Sequence, residues 1–187
     1  MSKRSQQEAA RAAMDALPFE DQFNVHLGRL VHATARFDHF IGLQLNWLGL
    51  YLAVDVSKYL EPTKVTLATR LERLQLLVKD AFQAAGPAAM AELDGWFASA
   101  ASARALRNNY VHGRWGLPGK LAESPDGGPR VPLLAFIKLD WDMTPNQPDK
   151  SEYLTIDEFR KQVEDAVAVY NAFFALSEKY LAFVQRR

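Results

Sequence analysis

The residues best suited to chemistry lie in one short stretch, from Arg104 to Gly113. Asn108 directly follows Arg107, and His112 lies five positions after that arginine. An imidazole exchanges protons near neutral pH, a guanidinium matches negative charge, and an amide orients either group. Together these side chains suit metal-independent cleavage of a phosphodiester.

In such a reaction the histidine moves the proton of an attacking 2′-hydroxyl or of the leaving 5′-oxygen. The arginine stabilises the additional negative charge of the transition state, and the asparagine orients the phosphate or the histidine. Because the nucleophile is a 2′-hydroxyl, this chemistry restricts the substrate to RNA. The expected products carry a 2′,3′-cyclic phosphate and a 5′-hydroxyl.

Composition excludes several other classes of function. The chain has no cysteine, which removes disulfides, thiolate metal sites and a cysteine nucleophile. Its 22 basic and 22 acidic residues balance, so an anionic partner must be held by a local patch. Along the first long helix, histidines six or seven positions apart do not match metal-ligand spacing. We therefore expect no metal and no cofactor.

No apolar run is long enough to span a membrane, because charged residues interrupt the longest candidate. The first residues, Met1 to Arg4, lack the apolar core of a signal peptide. We expect a cytoplasmic protein without a membrane partner.

Hydrophobic periodicity predicts a mainly all-α fold with four long helices. Residues 1–17 form an N-terminal arm or a short helix, and residues 18–187 form a single domain. The long helices run from about Phe19 to about Tyr51, from Pro62, from about Pro87 to His112, and from a capping box at Thr155 and Glu158 to near Arg186. The face of the second helix that carries Arg70 and Arg73 should point to water.

Residues 114–153 form an insert between the third and fourth long helices. Prolines and glycines exclude a helix there, and apolar residues alternate at Ala135, Ile137, Leu139 and Trp141. This pattern predicts a small β-hairpin in which residues 114–121 pair with that strand.

The third helix carries an anomaly that concerns the candidate site. Arg104 and Arg107 share a face with apolar residues such as Trp96 and Ala100, although an unpaired buried guanidinium is very unfavourable. Either these arginines have carboxylate partners, or this end of the face opens into a polar cleft or a subunit interface. Arg107 is rotated by roughly 140° from His112, so the two converge only at a frayed helix end or across a two-fold axis.

The run from Arg107 to His112 resembles the motif of the HEPN family, in which a histidine follows an arginine after four to six residues and a polar residue comes directly after the arginine. The resemblance in architecture covers roughly residues 19–185. It implies a four- or five-helix bundle with the motif late in the third long helix. By position, Arg107 and His112 would be catalytic and Asn108 would support them.

The family resemblance also implies partners. Many HEPN proteins are metal-independent endoribonucleases that act as homodimers on RNA, in toxin–antitoxin, phage-defence and RNA-processing systems. An antitoxin or another regulatory protein is then a further partner. In one subgroup an antitoxin modifies a tyrosine two positions after the histidine, but Arg114 occupies that position here.

Alternative interpretations stand beside the catalytic ones. Other HEPN domains are non-catalytic, and this chain is alternatively a non-catalytic helical module that binds a protein partner, RNA or a nucleotide. Arg107 is alternatively a structural arginine paired with Asp38 or Asp165, and His112 a residue that caps the last helical turn. Arg104, Tyr110 and Arg114 are candidate RNA contacts, with core packing the alternative for Tyr110 and surface charge for Arg114. In the first helix, the basic stripe at Arg29, His32, Arg36 and His39 is either a solvated face or a phosphate contact.

Overall fold

The computed structural model describes residues 3–61, 64–123, 130–137 and 151–184. Within these ranges the protein is mainly helical and has a small antiparallel sheet, which confirms the predicted fold class at this level. The elements in chain order are α1 (Lys3–Asp15), α2 (Phe19–Leu52), α3 (Ser57–Leu60), α4 (Leu67–Phe82), α5 (Pro87–His112), β1 (Arg114–Ala122), β2 (Val131–Ile137), β3 (Glu152–Thr155) and α6 (Ile156–Val184). The HEPN-type arrangement of these helices stays a prediction.

Most helix limits agree with the sequence-based ones, and α4 is the exception. This helix begins at Leu67, because the hydroxyl of Thr66 accepts a hydrogen bond from the backbone N–H of Thr69 at 3.3 Å and so caps the first turn. The predicted start at Pro62 lies outside the described residues. At the start of α6 the capping box is confirmed, since the Thr155 N–H donates to Glu158 Oε2 at 2.7 Å and the Glu158 N–H donates to Thr155 Oγ1 at 3.2 Å.

The insert contains a third strand in addition to the predicted hairpin. Strand β2 lies in the middle of the sheet and pairs antiparallel with both β1 and β3. Ala135 and Ile137 belong to β2 as predicted, whereas Leu139 and Trp141 fall outside the described residues. The inner face of β2 carries Leu134 and Phe136, which are buried.

The chain forms two compact units. The sheet unit consists of Met1–Arg29 and Asn108–Val163, and the helical unit consists of Leu30–Arg107 and Glu164–Arg187. Three helices, α2, α5 and α6, contribute residues to both units. The sequence-based division into an N-terminal arm and a single domain stays a prediction.

Each unit contains a cluster of aromatic rings around a buried tyrosine. In the sheet unit, Tyr110 lies within 5.3 Å, measured between ring centroids, of Trp115, Phe136 and Phe159. In the helical unit, Tyr170 is stacked on Phe37 at 4.4 Å, and Trp96 and Phe173 complete the cluster. Burial of large aromatic rings is a major source of stability in a domain of this size.

Candidate functional site

The end of α5, where the motif lies, is fixed by a glycine. The N–H of Gly113 donates to the carbonyl oxygen of Asn109 at 2.7 Å and closes the last turn. A Cβ atom at position 113 would overlap the ring of Phe136 and would lie 2.6 Å from the Asn109 carbonyl oxygen. Glycine therefore permits the close approach of Phe136 on β2 to this helix end.

His112 is the last residue of α5, and its side chain is exposed to solvent. Its ring makes no hydrogen bond or ion pair with any residue that the structure describes. The capping alternative, in which the imidazole bonds last-turn carbonyls, is therefore not observed within the described ranges. Asn108, one turn earlier in the same unit, is half-buried.

Tyr110 is buried in the sheet unit, and Trp115, which is half-buried, packs against its ring. The Tyr110 hydroxyl donates to Gln162 Oε1, and the Trp115 indole N–H donates to the Tyr110 carbonyl oxygen at 2.8 Å. Burial, and then the negative charge of Glu152, raises the pKa of Tyr110 to about 12. Tyr110 is thus packed in the core, as the alternative interpretation has it. A role of Tyr110 in RNA binding stays a prediction.

Arg104 and Arg107 belong to the helical unit, where both are half-buried and Arg107 Nε is fully buried. Their charges act on the hydroxyl of Tyr170, which also accepts a hydrogen bond from Thr34 Oγ1 at 3.5 Å. Burial raises the pKa of Tyr170, whereas the Thr34 hydrogen bond and the charges of Arg107 and Arg104 oppose that increase. The two arginine charges thus lessen, but do not cancel, the preference of this buried hydroxyl for its neutral form.

The sequence analysis missed Tyr170, on which the charges of this arginine pair act, and Thr34, which donates a hydrogen bond to the Tyr170 hydroxyl. Both occupy positions of the apolar stripes of their helices, and both are buried. A hydroxyl within an otherwise apolar stripe was the available signal, because a buried hydroxyl requires a hydrogen-bonding partner.

One carboxylate that the sequence suggested for Arg107 has another partner. Asp38 accepts a hydrogen bond from Arg70 Nη1 at 2.7 Å. The prediction that Arg70 faces water is wrong, because this residue is 6% exposed. Its guanidinium also donates to the carbonyl oxygens of Tyr59 at 3.0 Å and Glu61 at 3.3 Å, and these bonds compensate for its burial.

The remaining basic candidates lie at the surface. Arg114 is exposed at the start of β1, opposite Ile137 in the sheet. The stripe of Arg29, His32, Arg36 and His39 on α2 is also exposed. Exposure is compatible with both interpretations of these side chains, namely a solvated face and a phosphate contact.

In the described part of the chain, no three histidine, aspartate or glutamate side chains are grouped so that they could hold a metal ion. None of the described helices is long and apolar enough to cross a bilayer. Comparisons with protein-family models, with curated proteins and with solved structures gave no match.

Proposed function

We propose that this protein is a metal-independent endoribonuclease of the HEPN type. The observation that carries the proposal is the Arg107–Asn108–His112 pattern at the end of α5, together with the exposure of the His112 imidazole. An exposed imidazole that no described residue engages is available to exchange protons with a substrate.

In the proposed reaction His112 removes the proton from the 2′-hydroxyl of a nucleotide in RNA. The 2′-oxygen then attacks the adjacent phosphorus, and the bond from phosphorus to the 5′-oxygen of the next nucleotide breaks. That leaving oxygen receives a proton from a second histidine, His112 of a second copy. Arg107 stabilises the negative charge on phosphate, and Asn108 orients the phosphate or the imidazole.

This mechanism uses two copies of the motif, which is why we propose a homodimer. In that assembly, Arg104 and Arg114 are additional contacts for the RNA backbone. A role in toxin–antitoxin or phage-defence systems, with an antitoxin or regulatory protein as partner, follows from the family resemblance alone.

The test is cleavage of a mixed RNA pool by the purified protein in EDTA. We expect cleavage with 2′,3′-cyclic phosphate ends, and a decrease in rate of about 10²-fold or more for His112→Ala and for Arg107→Ala. The matched control is Val111→Ala, which truncates the exposed neighbour of His112 and should cut at the wild-type rate. Equal cleavage by wild type and His112→Ala, or cleavage that requires a divalent metal, contradicts the proposal.

A second candidate is a non-catalytic helical module that binds RNA, a nucleotide or a protein partner. The burial of Arg107 Nε and the action of the Arg107 charge on Tyr170 favour it, because both are expected of a structural arginine. Under this alternative no cleavage occurs, and Arg107→Ala lowers the thermal stability of the protein. The RNA assay and a melting curve on the same variants separate the two functions.

A further inference from the structure

The helical unit contains an open cleft of about 460 Å³ along the surface of α2. Clefts of this size are typical of small-molecule sites. Its lining includes both a carboxylate and a guanidinium, from Asp38 and Arg70. No residue of the Arg107–His112 motif lines it, so it is distinct from the proposed nuclease site.

The floor of the cleft is made of small or short side chains on one line of α2. At roughly 100° per residue, Ala35, Gly42 and Asn46 lie close together on the helix, with Asp38 on one side of them and His39 on the other. A Cβ atom at Gly42 would meet nothing within 4 Å, so the space above this residue is open. The bottom of the cleft is therefore formed by short side chains, and Asp38 and His39 form its two polar sides.

The wall that contains Asp38 is rigidly built. Arg70 uses three of its five N–H groups, one for Asp38 and two for backbone carbonyls, so its position is fixed. The Asp38 side chain is 35% exposed although it is paired with a guanidinium that is only 8% exposed. One side of the carboxylate thus remains accessible to a ligand.

The charges of these walls select among ligand classes. Asp38 and Arg70 are opposite charges 2.7 Å apart, so their effects on a simple anion or a simple cation largely cancel. A small zwitterion satisfies both, because its ammonium group can bind the carboxylate while its carboxylate binds N–H donors of Arg70, His39 or Asn46. The two leucines of the lining, Leu43 and Leu60, supply apolar surface for an uncharged tail.

We propose that this cleft binds a free α-amino acid with an aliphatic side chain. The ammonium group contacts Asp38, the carboxylate contacts N–H donors of Arg70, His39 or Asn46, and the side chain packs on Leu43 and Leu60. The proposal is independent of the nuclease function, because it uses α2, α3 and α4 rather than the end of α5.

The experiment is titration calorimetry of the full chain with L-leucine, L-isoleucine, L-valine and L-methionine, each up to about 10 mM. For the tightest of the four, analogues that lack the ammonium or the carboxylate are then titrated; for leucine these are 4-methylpentanoate and 3-methylbutylamine. We expect saturable binding of the amino acid, and binding at least about tenfold weaker for either analogue. Absence of saturable binding by all four amino acids overturns the proposal, as does equal binding of either analogue.

Two glycine variants locate the site. Gly42→Leu fills the floor and should weaken binding at least about tenfold. Gly28→Leu is the matched control, because Gly28 is also a glycine of α2 with nothing within 4 Å of an added Cβ, but it does not line the cleft. Equal binding by the wild type and Gly42→Leu assigns the ligand to another surface and overturns the proposal.

Asp38→Asn tests the proposed role of the carboxylate. Where this variant remains folded, it should bind the amino acid at least about tenfold more weakly, and undiminished binding contradicts the assignment. The change also removes the charge partner of Arg70 and can prevent folding. The comparison of Gly42→Leu with Gly28→Leu therefore tests the location of the binding site without it. RNA cleavage by Gly42→Leu should equal that of the wild type, so failure of one proposal does not affect the other.

Discussion

The two units of this protein each bury a tyrosine within an aromatic cluster, and burial raises the pKa of both hydroxyls, but the polar groups around the two hydroxyls differ. In the sheet unit the Tyr110 hydroxyl donates to the neutral amide of Gln162, and both burial and Glu152 raise its pKa. In the helical unit the hydroxyl of Tyr170 is acted on by Thr34, Arg107 and Arg104, all of which oppose the effect of burial on its pKa. Similar packing thus surrounds two different electrostatic environments.

This difference concerns the candidate motif directly. Arg107 belongs to the helical unit, where its charge opposes the increase in the Tyr170 pKa, whereas Asn108 and His112 belong to the sheet unit, where the charge of Glu152 adds to the increase in the Tyr110 pKa.

The largest decreases in stability should come from removing one ring from either aromatic cluster. Phe159→Ala in the sheet unit and Phe37→Ala in the helical unit each remove a ring that is almost fully buried, and each should lower the free energy of unfolding by about 3–5 kcal/mol. Denaturant titrations followed by circular dichroism measure both. Because α2, α5 and α6 contribute to both units, we expect a single transition in each variant, and two separate transitions would show that the units unfold independently.

The two glycines of the α5 region should respond in opposite directions to the same substitution. Gly113→Ala should destabilise the protein by about 1–3 kcal/mol, because the added methyl group overlaps Phe136. Gly95→Ala, in the same helix with nothing within 4 Å of the new Cβ, should stabilise it by about 0.5–1 kcal/mol. Melting temperatures of the pair test this, and a stable Gly113→Ala would contradict the close approach of β2.

Alkaline titration should distinguish the two tyrosines. The folded-state pKa of Tyr110, about 12, lies above the ordinary value of 10.0, so its contribution to stability is complete below pH 10 and is lost as the pH rises through 12. Tyr110→Phe should lower stability at neutral pH by about 1 kcal/mol through the lost hydrogen bond to Gln162, yet weaken the decrease above pH 10.

The control for that titration is Tyr170→Phe, measured over the same pH range. Its effect on the alkaline decrease should be smaller, because Thr34 and the two arginines oppose the increase in the Tyr170 pKa. If both substitutions change the alkaline decrease in stability equally, the proposed electrostatic difference between the two hydroxyls is contradicted.

The smallest expected change in stability concerns the C-terminal end of α2. Ala53 has a φ of 54°, and Val54 N donates to Gly49 O at 2.9 Å, which is the hydrogen bond of a helix end closed by a left-handed residue. Ala53→Gly should stabilise the protein by about 0.5–1 kcal/mol. Ala101→Gly, at an exposed position inside α5, should instead destabilise it by about 1 kcal/mol.

The features that the sequence predicted well are those that neighbouring residues determine. Apolar periodicity predicted α2 and α5, Gly113 the end of α5, and Thr155 with Glu158 the start of α6. Strand β3 was missed, because its four residues are too few to show an alternating pattern and lie directly before a helix signal. The start of α4 was placed too early, because Pro62 is a common first residue of a helix and the cap at Thr66 was overlooked.

The surroundings of the candidate site were less predictable, because they depend on residues far away in the chain. Arg70 pairs with Asp38, which is 32 positions earlier, and Tyr110 donates to Gln162, which is 52 positions later. A helical projection of α4 shows Arg70 next to a polar face. It contains no information about its partner Asp38. Even within the last turn of α5 exposure differs, since Tyr110 is buried and His112 is exposed.

Arg70 has a consequence for the connector between α2 and α4. Two of its hydrogen bonds go to backbone carbonyl oxygens of that connector, at Tyr59 and Glu61. The path of the connector thus depends on a side chain of a later helix as well as on local hydrogen bonds such as that from the Ser57 N–H to Asp55. Loss of Arg70 removes these two bonds together with the ion pair to Asp38, so we expect this segment to be the first to open in native-state hydrogen exchange of such a variant.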